Sequence, residues 1–264
     1  MGTGYEHLEL YAEAGVLHVW LNRPEVRNAF NAKLIAELVR AFTSVPDDVR
    51  AAVLGGRGSA FCAGADLDYM KRLGEMNHEE NMRDALALAD MLAAVNACPV
   101  PLVGRCQKAA FGGAIGLLAC CDTVIAAEDA VFAFSEVRLG ISPATIAPYV
   151  LAKVGETHAR DLFLSGERWD AQRALAAGLV HRLVPPDKLD AAVDAKLAEL
   201  LQAGPLAARA TKKLIRGVSG AVSPQVREAT ARLIANLRGS EEGREGLSAF
   251  LEKRRADWMP PGRP

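Results

Sequence analysis

The order of short apolar runs and helical stretches restricts this chain more than any other feature. "GVLHVWLN" (15–22) reads as a strand and is followed by the helical "NAKLIAELVRAF" (31–42) and a second strand, "AAVLGG" (51–56). "HEENMRDALALADMLAAVNAC" then carries Met82, Ala85, Leu86, Ala89, Leu92 and Ala93 at the i, i+3, i+4, i+7 rhythm of an amphipathic helix. "VPLVGRC" (100–106) is a strand with proline near its start, where the missing N–H costs least. "DTVIAAEDAVFAFSE" (122–136) gives two β-like runs around a polar turn at Glu128 and Asp129. The unit is strand, strand, helix, which predicts an α/β chain of sheet layers covered by helices. From about residue 168 the pattern is helical. Asp170 is a candidate N-cap and Gly178 a stop, and Leu189, Val193, Leu197 and Leu200 form one stripe closed by Gly204 and Pro205. Further helices are predicted over about 205–217 and 224–238, with a last one ending in "AFLEKRR".

With 264 residues, half of them hydrophobic, the chain can bury a substantial core. Its 31 Lys and Arg against 32 Asp and Glu give no electrostatic case for nucleic acid or a membrane as principal partner. No apolar run reaches the roughly 18 residues of a membrane span, and "MGTGYEHLEL" lacks the layout of a secretion signal, so the expected compartment is cytoplasmic. Five cysteines without CxxC spacing argue against a disulfide framework or zinc ribbon. The histidines show no HxxxH spacing, so no metal site is expected, and His181 in "GLVHRLV" reads as a structural turn residue.

Two segments share one design, "AAVLGGRGSAFCAGADLDYM" (51–70) and "VPLVGRCQKAAFGGAIGLLACCD" (100–122): a β-like run, a turn of small residues, then a helix start. Each exposes main-chain N–H groups where a helix leaves its first donors unpaired. If the turns face one another, the N–H groups of Ala65 and Gly113 can grip one oxygen, as in an oxyanion hole. The alternative is that Gly64, Gly112 and Gly113 only permit tight turns and close packing. Gly116, inside the helix, gives up roughly 1 kcal/mol relative to alanine and calls for a reason.

"LNRPEVRNAFNAKL", "GSAFCAGADL", "AAFGGAIGLLACCD", "FAFSEVRLGISPA", "AAGLVHRLVP" and "AFLEKRRADW" resemble, in order and spacing, the enoyl-CoA hydratase/isomerase or crotonase superfamily, over about residues 6–258. The resemblance implies a crotonase-like spiral of ββα units over residues 1–200 and a helical C-terminal trimerisation region over 201–264. It also implies an acyl-CoA substrate, a homotrimer or homohexamer built as a dimer of trimers, and no cofactor beyond the coenzyme A of the substrate. It places the thioester-oxygen donors on Ala65 and Gly113, with Ala29, Ala63, Asp66, Leu67 and Gly112 around the substrate.

Hydratases of this family typically carry two glutamates. Here one position falls on Gly116 and the other on Glu136 in "FSEVRLG", so the family register leaves Glu136 as the acid/base group and Gly116 as a reshaped pocket wall with volume freed beside the thioester. A carboxylate in an apolar pocket has a raised pKa, suited to exchanging protons near neutrality. Hydration and double-bond isomerisation both fit one glutamate; the sequence looks closest to bacterial methylglutaconyl-CoA hydratases, which favours hydration. A noncatalytic CoA-binding or RNA-associated crotonase-like protein is the third reading. Ser142 or Thr145 in "SPATIAP" can donate to a distal carboxylate of the substrate, or simply belong to a helix start. For the CoA phosphates the candidates are Arg23 and Arg27 in "RPEVRNAF", then Lys253 and Arg254 in "FLEKRR". Cys62 would be a nucleophile only with a stabilised thiolate.

Overall fold

The computed structural model describes residues 4–218, 240–252 and 254–259. Its centre is a six-stranded sheet in the order β1-β2-β3-β4-β6-β9. The antiparallel hairpin of β1 (Leu8–Glu13) and β2 (Val16–Leu21) starts it, and β3 (Ala51–Gly56), β4 (Leu102–Cys106), β6 (Thr123–Ala127) and β9 (Arg182–Val184) continue it in parallel. A second, three-stranded sheet runs β5 (Ala109–Phe111), β7 (Val131–Ala133), β8 (Arg168–Asp170).

The chain passes from the large sheet to the small one and then into a helix. β4 leads to β5 and α4 (Gly113–Cys120); β6 leads to β7 and α5 (Ala147–Ser165), which is interrupted at Gly155. β3 leads to a single bridge from Cys62 to Ala110 and then to α2 (Leu67–Glu75). The strand, strand, helix unit is therefore a step between two layers, and the two runs around Glu128 and Asp129 belong to different sheets.

Alternate residues of the large sheet face two apolar clusters, as the period of two requires. Leu17, Val19, Leu21, Ala52, Leu54, Leu102 and Val124 join the main core, to which α1 (Ala32–Thr43), α3 (His78–Asn96) and α4 contribute. Ala51, Val53, Val103 and Ile125 pack beneath α7 (Leu189–Leu200) through Leu189, Val193 and Leu197. No helix among the described residues is long and apolar enough to cross a membrane.

Two expectations are corrected. The chain after residue 168 is not purely helical, because β8 and β9 complete the edges of the two sheets; three residues are too few to show a period of two. The apolar stripe of α3 is buried only near its C-terminal end, at Met91, Leu92 and Val95, while Met82 and Leu86 are exposed. Glu80 forms a capping box with Asn77 at the start of α3. Asp170 does cap α6 (Ala171–Ala176), accepting the Arg173 N–H at 2.8 Å. α8 (Pro205–Gly217) follows Gly204, and its first turn is capped by Glu242 of α9 (Glu241–Leu251), which accepts from Leu206 and Ala207 N–H at 2.7 and 2.8 Å. The helix expected over 224–238 lies outside the described residues.

Candidate active site

The two glycine turns lie side by side. Cys62 N–H donates to the Ala109 carbonyl at 3.1 Å, and Phe111 N–H donates to the Cys62 carbonyl at 3.2 Å, so the segment before Gly64 runs along the segment before Gly112. A Cβ on Gly64 would stand 3.1 Å from the Phe111 carbonyl oxygen. Gly112 has φ +53° and ψ −122°, a conformation that a side chain strains, and a Cβ there would meet Glu136 Oε1 at 3.0 Å. Glycine at 112 thus turns the chain into α4 and admits the Glu136 carboxylate against the backbone.

Neither Ala65 N–H nor Gly113 N–H has a partner among the described residues, while their neighbours do. Gly112 N–H donates to the Ala133 carbonyl at 2.9 Å and Asp66 N–H to the Phe30 carbonyl at 3.0 Å. Gly113 opens α4, so its donor also carries the positive end of a helix.

Glu136 sits on a 3-10 turn, Ser135–Leu139, directly after β7. The turn is fixed from behind: Phe134 is fully buried against Phe163 and Trp169, with ring centroids 4.5 and 5.8 Å away. Glu136 itself is half-buried, and its Oε2 is buried without a hydrogen-bond partner. Burial holds its carboxyl above the ordinary value, partly opposed by its own backbone amide.

A cleft of about 440 Å³ is lined by Arg23, Asn31, Asp66, Asp68, Lys71, Arg72 and Glu75. Its walls are polar and charged, and Glu136 is not among them. Arg23, read as a phosphate partner, lines this cleft with its guanidinium already engaged. It pairs with Asp66 at 2.9 Å and donates to the Ala29 carbonyl at 2.6 Å, both side chains of the pair being 12% exposed. Arg254 is likewise committed, to Glu245 and Glu252. Arg27 is exposed, with φ +52°, and its carbonyl accepts from Ala63 N–H at 2.9 Å. Ala29 is buried and Leu67 begins α2; Ser142 is exposed in the loop before α5; Lys253 lies outside the described residues.

Gly116 does not leave the open volume expected of it. A Cβ there would fall 2.4 Å from Ile146 Cγ2, 2.9 Å from Ile146 Cβ and 3.2 Å from Leu92 Cδ2. Ile146, buried at the entry to α5, occupies the space. Cys62 is fully buried and its thiol is pushed up to about 12, so it stays neutral and is no nucleophile. His181 accepts from Val124 N–H through Nδ1 at 3.0 Å, joining the end of β9 to β6.

Asn28 is the residue that sequence reasoning missed. It is fully buried at φ +58°, and its Nδ2 donates to the carbonyls of Arg57, Ala60 and Phe61 at 2.8, 2.9 and 3.1 Å. Its Oδ1 accepts from Arg23 N–H at 2.8 Å, so one side chain ties the turn at Arg23 to the loop at 57–61. An asparagine in the proline-led turn "RPEVRNAF", with its tolerance for the left-handed region, was the available signal.

The Enoyl-CoA hydratase/isomerase family matches residues 11–261. The chain belongs to this family. Enoyl-CoA hydratase ACTT6 of Alternaria alternata is 32% identical over 252 residues, 94% of this chain and 82% of that protein. Among solved structures, AtuE of Pseudomonas aeruginosa superposes with a TM-score of 0.93 at 37% identity, covering 97% of this chain and all of the other. An enoyl-CoA hydratase of Shewanella pealeana gives 0.92 at 37% identity over 96% of each chain. The fold is thus the α/β crotonase fold, and this enzyme is a hydratase or isomerase of that family.

Proposed function

We propose that this enzyme adds water reversibly across the 2,3 double bond of an enoyl-CoA, a branched one such as 3-methylglutaconyl-CoA, which would give it a place in leucine degradation. The observation that carries this reading is the buried, unpartnered Oε2 of Glu136, on a carboxylate packed against Gly112, next to the unpaired N–H of Gly113.

The Ala65 and Gly113 N–H groups hold the thioester oxygen. Glu136, as carboxylate, takes a proton from water while the water oxygen bonds to Cβ. The electron pair of the double bond moves onto the thioester as an enolate, which the two donors stabilise. Glu136 then returns the proton to Cα, so that water is added in full. Each donor of this kind is worth about 3 kcal/mol of transition-state stabilisation. Arg27 and Lys253 are the proposed partners of the CoA phosphates, with Ala29, Ala63 and Leu67 along the cofactor portion and Ser142 near the distal end of the acyl group. The proposal calls for no metal or redox cofactor, and for a cytoplasmic protein.

Isomerisation of a 3-enoyl-CoA is the second reading. It is favoured by Ile146, which fills the space at Gly116 and leaves Glu136 to move a proton between two carbons. Mass spectrometry after incubation with 3-methylglutaconyl-CoA, crotonyl-CoA and a 3-enoyl-CoA separates the two. Gain of one water on the first substrate is expected; a mass-neutral shift of the double bond in the third alone would replace hydration by isomerisation.

A homotrimer or homohexamer is proposed as the working assembly. Large apolar side chains on α5 and α8, Leu164 at 76% and Ile215 at 64% exposure, suit burial between protomers. Light scattering on the eluting protein is expected to give three or six times the chain mass of 28.1 kDa, and a monomer at micromolar concentration would end the proposal.

A further inference from the structure

We infer that Arg23 is a positioning residue for the proposed oxyanion donor, aiming the Ala65 N–H through Asp66; the inference rests on the reading of Ala65 given above. The aim of that N–H is fixed by its neighbours. Gly64 O accepts from Phe30 N–H at 2.7 Å, and there are no cis peptides among the described residues. A trans, planar peptide sets the Ala65 N–H opposite the Gly64 carbonyl, so it points away from the Phe30 segment. Asp66 N–H returns to the Phe30 carbonyl at 3.0 Å, which closes an isolated parallel bridge between Phe30 and Ala65.

One bridged pair is a short register, and Arg23 spans it. Its guanidinium donates from Nη1 to the Ala29 carbonyl at 2.6 Å and from Nη2 to Asp66 Oδ2 at 2.9 Å, on the two sides of the bridge. A rigid fork between two acceptors fixes their separation, which a lysine cannot do. Asp66 is also held at its other oxygen, where Oδ1 accepts Asp68 N–H at 2.9 Å at the start of α2. Arg23 is anchored in turn by its N–H to Asn28, itself fixed in the core. Its Nε is buried without a partner, a cost that a surface arginine avoids by turning into water. The ties run from Asn28 through Arg23 to the Ala29 carbonyl, just before Phe30, and to Asp66, just after the Ala65 donor.

The test uses acetoacetyl-CoA, whose enolate absorbs in the near ultraviolet and grows when a protein grips the thioester oxygen. The variants are Arg23→Gln and Asp66→Asn, singly and together. All are expected to bind within about threefold of the wild-type Kd, yet to lose at least about tenfold of the enolate absorbance at saturation. The double variant is expected to be no worse than either single one, because both break the same tie. Should Arg23→Gln not fold, Arg23→Lys keeps the charge without the fork and gives the same comparison. A wild-type enolate signal with a Kd raised about tenfold or more would overturn the inference and make Arg23 a contact to the nucleotide. In that case acetoacetyl-pantetheine, which has no nucleotide, would bind variant and wild type alike. A wild type that binds without any enolate signal would end the oxyanion reading and this inference with it; a signal that the variants keep would end this inference alone.

Discussion

Glu136→Gln is expected to lower kcat by about 10² to 10⁴ while the Kd for acyl-CoA stays within a few fold. The substitution keeps the size and the contact with Gly112 but removes the base. Because the proposed chemistry sends every transferred proton through this carboxylate, both hydration and isomerisation should fall together. A noncatalytic CoA-binding protein would be indifferent to the change. Turnover that survives within a factor of about three would remove Glu136 from the chemistry altogether.

The same residue sets a pH dependence whose sign can be worked out. Burial raises the Glu136 carboxyl above its ordinary 4.5, so the folded chain holds the proton more tightly than the unfolded chain does. The stability this provides is full below the unfolded value and is lost as pH rises through the folded one. A glutamine cannot ionise, so Glu136→Gln should melt at or above the wild-type temperature near neutral pH, with the difference shrinking in acid. For activity, the acid limb of kcat/KM should lie closer to neutrality than an exposed glutamate would give. Thermal melts of both proteins between pH 4 and 8 check the first point, and the rate profile checks the second.

How much was legible in the sequence follows from how local each signal is. The strand and helix order came through because each element carries its own period. The glycine turns were visible because a position that excludes Cβ must be glycine whatever surrounds it. β8 and β9 were not visible, since their pairing energy comes from neighbours distant in sequence. Met82 and Leu86 satisfied the helical stripe but are exposed, so the period alone did not mark which part of the stripe is covered. At the site, a lone glutamate after "AVFAF" marked Glu136, while the pairing of Arg23 with Asp66 spans 43 residues and left no trace in either motif. Gly116 was seen to need a reason; the reason, Ile146, is thirty residues away.

That contact makes Gly116→Ala a sharp test of the fold around the site. In an isolated helix alanine would gain about 1 kcal/mol over glycine. Here the added Cβ stands 2.4 Å from Ile146 Cγ2, far inside contact distance, and the neighbouring Leu92 Cδ2 is at 3.2 Å, so neither side offers room. Overpacking costs typically 1 to 3 kcal/mol and exceeds the gain in propensity, so Gly116→Ala is expected to destabilise by about 1 to 2 kcal/mol in urea unfolding. Ile146→Val gives no relief, because valine keeps both γ carbons. Ile146→Ala removes the clash but opens a cavity, at about 2 to 5 kcal/mol. The double variant Gly116→Ala/Ile146→Ala should then be more stable than Ile146→Ala alone, with a coupling of about 1 to 3 kcal/mol, because the new methyl occupies part of the vacated volume. Gly116→Ala as stable as the wild type, or strict additivity in the double variant, would mean that Ile146 does not fill this position in solution. The coupling also bears on the proposed chemistry: while Ile146 holds that space, the first carbon of any side chain at 116 runs into it, and the proposed single-glutamate site would follow from packing at residue 146 as much as from the glycine itself.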